Sequence, residues 1–298
     1  TLRIGIHAWP AYEFFYLAQE RGLFRKYDID VEMVEFDSSV DSMRAFAHGN
    51  IDAFCGTSVE LITSQLDSPV AAKAIHVIDF SNGADQIIAS PAIRSLADLK
   101  GRRIAFESGT LDYVTWSYAL KQAGMNFSDV KVESIPQSEI IKAFRQGRID
   151  AAATYPPVST MLVQENLGHP IFDSSKIPGI IVDLLVVRDD LIRPRKSEWI
   201  GVIKALADAQ SFAVANPQDA YAVMAKREQI DVDRFQEALQ GIHLVTLSEQ
   251  YGLLKEGGKI FEALSAASKT LAEKGLRIDE VRLNRLYSTE IAQEVMAP

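Results

Sequence analysis

The 298-residue sequence contains one cysteine, Cys55, so it can hold no internal disulfide and no multi-cysteine metal site. Its five histidines, His7, His48, His76, His169 and His243, show no metal-ligand spacing, and neither a metal nor another cofactor is expected. Apolar runs are short. None reaches the roughly 18 residues of a membrane span, and Thr1 opens directly on a strand pattern with no signal-peptide pattern ahead of it. Basic residues are in deficit, 31 Lys and Arg against 40 Asp and Glu for a formal net charge of −9. That balance lacks the electrostatic footprint of a phosphate-backbone binder, so no nucleic-acid partner is expected. The densest basic cluster, Arg188, Arg193, Arg195 and Lys196, reads as a helix end or a solvated face.

What the chain does contain is a repeat. AFAHGNIDAF at 45–54 returns as AFRQGRIDAA at 143–152, with Ala45, Phe46, Gly49, Ile51, Asp52 and Ala53 matched by Ala143, Phe144, Gly147, Ile149, Asp150 and Ala151. Each copy reads as a helix stopped at a Gly, followed by a short buried strand. The surroundings repeat too. Strand patterns at 2–8, 29–36, 51–55 and 71–80 alternate with helical stretches at 11–24, 40–47 and from Ser58. The plan restarts with strands at 85–90, 102–108, 130–135 and 149–155 and helices at 95–101, 111–124 and 139–147. Such alternation predicts an α/β protein of two similar lobes, each a mostly parallel sheet flanked by helices.

The run 181–188 is a further strand, and beyond it the chain turns almost wholly to amphipathic helices, which must cover another element. Residues 1–80 plus 188–298 are therefore expected to form lobe one and 85–182 lobe two. The crossovers at 81–84 and 183–188 are expected to act as a hinge.

Ligands of open parallel sheets bind beyond the carboxyl ends of the strands, so the strand-end loops should line a cleft between the lobes. These are Trp9-Pro10-Ala11-Tyr12, Asp37-Ser38-Ser39, Gly56-Thr57-Ser58, Ser108-Gly109-Thr110 and Tyr155-Pro156-Pro157. Trp9, Tyr12 and Tyr155 supply flat walls with polar edges. Ser38, Ser39, Thr57, Ser58, Ser108 and Thr110 set hydroxyls beside helix starts, where free N–H groups suit a carboxylate, sulfonate or phosphonate. The same residues are ordinary N-caps, and that reading stands beside the first. Of the acidic residues near the expected cleft or hinge (Asp37, Asp41, Glu60, Asp79, Asp85, Glu107 and Asp183), Asp183 and Glu107 are the best candidates to meet a cationic or amide-bearing group. Solvated or capping roles are the alternative for them. Arg3, Arg102 and Arg103 start strands rather than end them, so simple inorganic anions fit less well than zwitterions or neutral heteroaromatics. Asp52 and Asp150, at equivalent turns, are assigned to structure.

Trp9-Pro10-x-Tyr12, Leu17-Ala18 with Gly22-Leu23-Phe24, Gly49-x-Ile51-Asp52, LADLKGRRIA at 96–105, Tyr155-Pro156-Pro157-Val158 and Ile177-Pro178-Gly179 occur in an order and spacing that resembles the periplasmic solute-binding proteins of the nitrate/sulfonate/taurine type. That group includes thiamine-precursor binders, and the resemblance covers residues 2–245. It implies a type II-like periplasmic-binding-protein clamshell. The clamshell would capture a small molecule, a sulfonate- or taurine-like zwitterion or an aminopyrimidine-like compound, and deliver it to the membrane permease of an ABC importer. It also implies a monomer that is periplasmic or lipid-anchored at the cell surface, and not an enzyme. Trp9, Tyr12, Ser38, Ser39, Gly56, Thr57, Ser108, Gly109, Thr110, Tyr155 and Asp183 are the ligand-binding residues so expected.

Two alternatives come with the same family. Its fold also serves a pyrimidine-forming enzyme and a desulfinase with a cysteine nucleophile, and here Cys55 with His7 would be the pair to examine. The cysteine-rich iron motif of the pyrimidine enzyme is missing, and an inert core thiol is the plainer reading of Cys55. The other alternative is a ligand-sensing domain of a membrane receptor.

Overall fold

The computed structural model describes residues 1–66 and 68–295. In chain order its strands are β1 (Leu2–Ile6), β2 (Val31–Glu35), β3 (Ala53–Thr57), β4 (Ala72–Ser81), β5 (Gln86–Ala89), β6 (Arg103–Phe106), β7 (Lys131–Ser134), β8 (Ala151–Thr154), β9 (His169–Asp173), β10 (Val182–Arg188) and β11 (Ile242–Leu244). They form two sheets, ordered β11-β4-β10-β3-β1-β2 and β7-β6-β8-β5-β9.

The α/β architecture is as expected, but the sheets are mixed rather than mostly parallel. β1 runs parallel to β2 and β3, and β6 runs parallel to β7 and β8. β10 is antiparallel to both β3 and β4, β11 is antiparallel to β4, and β5 is antiparallel to β8 and β9. Parallel pairing comes from helical crossovers within one sheet. β5 and β10 arrive from the other sheet instead, so that constraint does not act on them.

The returning strand also corrects the expected hinge. Residues 183–188 lie inside β10, with Asp183 opposite both Asp79 and Thr57 and Leu185 opposite both His76 and Cys55. All but the last residue of β10 are buried, so VDLLVVR is a central strand and not a linker. The second passage between the sheets lies ahead of it, between Ser174 and Ile181. There Ser174 Oγ lies 2.8 Å from Ser81 Oγ and accepts from Gly83 N at 2.6 Å, tying the two passages together.

The echoed decapeptide serves both sheets in the same way. Asp52 accepts a hydrogen bond from Arg3 N at 2.8 Å, and Asp150 accepts one from Arg103 N at 2.8 Å. Their own amides donate to the Arg3 and Arg103 carbonyls, again at 2.8 Å. Gly49 and Gly147 reverse the chain just before, at φ 72° and 60°, where a Cβ is penalised. Each aspartate thus fixes the start of its strand, β3 or β8, against the parallel neighbour, β1 or β6.

Helices Glu13–Glu20, Lys196–Ala215 and Pro217–Glu228 bury Phe15, Leu17, Trp199 and Met224 on one face of the first sheet. Helix Ser58–Ser64 and the late helix Lys259–Glu273 fill its other face, and that core runs on through Ile104 and Phe106 of the second sheet and Trp116 of the helix after β6. Each such side chain contributes about 1.5–3 kcal/mol on burial. Among the described residues, no helix is long and apolar enough to cross a membrane.

Candidate functional site

One cavity between the sheets is lined by His7, Trp9, Thr57, Glu60, Glu107, Thr110, Leu111, Asp112 and Tyr155, at or past the carboxyl ends of β1, β3, β6 and β8, with Ser39 after β2, Asp85 just ahead of β5 and Asp183 near the start of β10. The convergence follows from topology, because the parallel strands of each sheet send their ends and the following helix starts toward the same gap.

Six of the residues expected from sequence line it: Trp9, Ser39, Thr57, Thr110, Tyr155 and Asp183. Tyr12 does not. It is fully buried behind the wall, where its hydroxyl donates to Asp183 Oδ1. Ser38 caps helix Ser39–Ala47, its Oγ accepting from Asp41 N at 3.1 Å. Gly56 is a packing residue within β3, where a Cβ would come within 3.0 Å of the Phe54 ring. Ser108 is exposed, and Gly109 presents its carbonyl to Thr63 Oγ1 at 3.1 Å. Asp37 and Asp41 are exposed as well. Glu60, Asp85 and Glu107, near the cleft by sequence, are in the lining, and the structure adds His7, Leu111 and Asp112. Asp112 passes in the sequence for an ordinary first-turn acid of helix Leu111–Gln122, and only its burial marks it out.

The lining is acidic. Glu60, Asp85, Glu107, Asp112 and Asp183 face the cavity with no Arg or Lys among its residues, and buried Asp79 lies next to Asp183. Burial pushes the Asp85 carboxyl up to about 7, and burial with the neighbouring Glu60 charge does the same for Glu107. Burial holds Asp112 well above the usual carboxylate range. Asp183 is raised by burial and by Asp79, and Asp79 is raised by burial. His7 is driven down to about 4 by burial, so it stays neutral and supplies no counter-charge.

The helix starts expected to cradle an anion are occupied by the chain itself. Glu60 accepts from Thr57 N and from Leu111 N, both at 3.0 Å. Asp112 accepts from Glu107 N at 3.1 Å and Gln137 Nε2 at 3.0 Å. The Thr57 and Thr110 hydroxyls accept from Val59 N and Asp112 N at 3.1 and 3.3 Å, as N-caps do. Among the described residues, Asp85 Oδ2 and His7 Nδ1 in the lining and Asp79 Oδ1 behind it are buried without a hydrogen-bond donor or acceptor paired to them.

Aromatic rings close the gap. Tyr155, from the second sheet, stands edge-on to Trp9 with centroids 5.8 Å apart and lies 6.1 Å from the His7 ring. Trp9 in turn donates its Nε1 to Asp79 Oδ2 at 3.0 Å. Cys55 is fully buried within β3 and outside the lining, its thiol pushed up by burial and by Asp183 and Asp79. The cavity therefore offers carboxylate acceptors and aromatic walls, with no exposed nucleophilic thiol.

The sequence is similar to known proteins over most of its length. A Brucella abortus protein named as a binding protein is 25% identical over 249 residues, 81% of this chain and 75% of its own. An Escherichia coli protein named for binding aliphatic sulfonates is 28% identical over 201 residues, 66% of this chain and 61% of its own. The alkanesulfonate-binding protein SsuA from Xanthomonas axonopodis pv. citri, solved bound to MOPS, shares the fold with a TM-score of 0.83 at 17% identity, over 96% of this chain and 97% of that one. The architecture is thus that of the periplasmic binding proteins. The profile of the NMT1/THI5-like family matches residues 9–220, more than half of the sequence, and the chain belongs to that family.

Proposed function

We propose that the protein is an extracytoplasmic solute-binding protein of an ABC importer, which captures a small organic solute between two lobes and presents it to a membrane permease. The observation that carries this reading is the shared cavity: His7, Trp9, Thr57 and Asp183 come from the first sheet and its loops, Glu107, Thr110, Asp112 and Tyr155 from the second. A solute held there touches both halves, and only a ligand with contacts to both favours a closed form over an open one. Relatives named as binding proteins support the same class. In this reading lobe one is residues 1–80 with the chain from β10 onward, lobe two is the chain between, and the hinge is 81–84 with 174–181. The protein acts as a monomer, in the periplasm or anchored by lipid at the cell surface.

Of the solutes left open by sequence, a compound bearing N–H donors, as an aminopyrimidine does, suits the lining better than a sulfonate or nitrate. Anions find the helix starts already filled by Glu60 and Asp112.

The test is a thermal-shift screen over sulfonates, taurine, aminopyrimidines and small amines, followed by small-angle scattering on any hit. A compound that binds only the native form raises the melting temperature, by the equivalent of about 2.7 kcal/mol at a hundredfold excess over Kd. The expected result is a stabilising compound, recovered unchanged, that also lowers the radius of gyration. A stabilising compound that is consumed would move the protein to the enzymes of this fold.

A further inference from the structure

We propose that the solute held in this cleft is an organic cation whose amidinium- or ammonium-type group is bound by Asp85 and Asp183. The inference rests on the capture reading above and names the charge of the solute.

Acidic residues alone would not specify a ligand, because carboxylates can be satisfied internally. Glu60 is satisfied in that way by Thr57 N, Leu111 N and the Thr57 and Ser39 hydroxyls, and Asp112 by two donors. Asp85 is different: it is 3% exposed, it faces the cavity, and its Oδ2 has no partner. Asp79 Oδ1 and His7 Nδ1 are likewise buried and unpartnered. Asp85, His7 and Asp183 line the cavity, Asp79 lies beside Asp183 behind it, and the lining has no Arg or Lys. A buried carboxylate is tolerated when it is paired with a charge and hydrogen-bonded. A donor-rich cation supplies both, while an anion supplies neither.

Proton linkage follows. Asp85 on the first passage, Glu107 on the second sheet, and Asp79 and Asp183 on adjacent strands of the first are all raised. The other titratable groups around them, Glu60, Asp112, Tyr12, Tyr155, Cys55 and His7, carry no positive charge to neutralise them. A bound cation favours the ionised carboxyls, so binding releases protons and tightens as pH rises from 6 to 8. One proton released corresponds to up to about tenfold in Kd per pH unit.

The test is calorimetric titration of the full chain with agmatine, benzamidinium and 2,4-diaminopyrimidine, and separately with methanesulfonate, taurine and nitrate. Titrations are run at pH 6, 7 and 8, in buffers of two ionisation enthalpies. Expected are a cationic probe that binds with proton release and a loss of about tenfold or more in Asp85→Asn. Asp183→Asn serves as the second variant, and both are checked for a native circular dichroism spectrum. Binding of an anionic probe with proton uptake would overturn the cation assignment and leave the capture reading standing. A cationic probe that binds Asp85→Asn and Asp183→Asn as tightly as the parent would also overturn it, by showing an adventitious surface site. If no probe of either charge binds or changes the radius of gyration, both readings fall together.

Discussion

Asp79 and Asp183 lie opposite each other in the antiparallel β4–β10 ladder, and each takes one aromatic donor, Trp9 Nε1 at 3.0 Å for Asp79 and the Tyr12 hydroxyl for Asp183. Trp9 thus does more than wall the cavity, and Tyr12 acts from behind it. They hold in place an acidic pair that two buried like charges would otherwise drive apart. The Trp9 bond favours ionised Asp79, since it works against the rise caused by burial. Trp9→Phe keeps a ring and removes the donor, and is expected to cost about 1–3 kcal/mol. The loss should be larger at pH 8 than at pH 5, where Asp79 is protonated. Urea denaturation at both pH values measures it. Trp9→Ala is the poorer probe, because a cavity would add about 3–5 kcal/mol at a residue only 3% exposed.

Asp85 gives the cleanest pH dependence. Its carboxyl rises from 3.8 to about 7 on folding, so the native state keeps a proton that the unfolded chain loses. Stability from this group is fully present below the unfolded value of about 4 and is lost as pH rises through about 7. Asp85→Asn removes that slope. Without added ligand, the variant should match the parent near pH 4 and exceed it at pH 8 by about 1–4 kcal/mol. Slopes from groups such as Asp150, which run the other way, are common to both proteins and cancel in the difference.

Much of this was legible in the sequence, for physical reasons. Strands buried on both faces, such as β3 and β10, show as largely apolar runs broken only near their ends, and a Gly at a helix end marks the turn before each echoed strand. The loops that supply Trp9, Thr57, Thr110 and Tyr155 followed from strand order alone. Strand direction did not, because the residues of β5 and β10 are the same whichever way their neighbours run. β9 was hidden by Pro170 and half-buried positions, and β11 by its length of three residues. His7 stood out only as a partner for Cys55, and Asp112 could not be read as a lining residue, since its role depends on burial between the sheets. The hydroxyls at helix starts allowed both an anion cradle and simple capping, and the deciding fact was where Glu60 and Asp112 point their carboxylates.

Glu60 links the two halves through one carboxylate, accepting from Thr57 N within its own capping box and from Leu111 N in the second sheet's helix. Glu60→Gln replaces an acceptor-only group with an amide whose NH₂ end opposes one of those donors. Hydrogen exchange at Leu111 should accelerate and the radius of gyration should rise, while amides in β1 keep their protection. Unchanged exchange at Leu111 would show that Glu60 does not hold the halves together.

Cys55 should be inert in the native protein. It is fully buried, and its thiol is pushed well above the ordinary range by burial and by Asp183 and Asp79, so almost no thiolate is available at neutral pH. Iodoacetamide is expected to leave the native chain unmodified over hours and to alkylate it promptly in 6 M guanidinium. Fast native labelling by mass spectrometry would instead reopen the enzymatic reading.

The repeated aspartates separate stability from binding. Asp52 and Asp150 sit at the starts of β3 and β8, a strand's length of roughly 15 Å from the carboxyl ends that line the cavity. Each satisfies a backbone N–H that strand pairing leaves free, and Asp150 also takes the Arg103 guanidinium at 2.8 Å. That pair is bidentate but partly exposed, and Asp52 has a looser counterpart in Arg195 at 3.6 Å, so both losses combine an orphaned amide with a solvent-screened ion pair. Asp52→Ala and Asp150→Ala should therefore destabilise by similar amounts, about 1–3 kcal/mol each. Both should leave the Kd for a bound solute within twofold of the parent. A large change in affinity from either, with the melting temperature held, would mean that the echo belongs to the binding site and not to the scaffold beneath it.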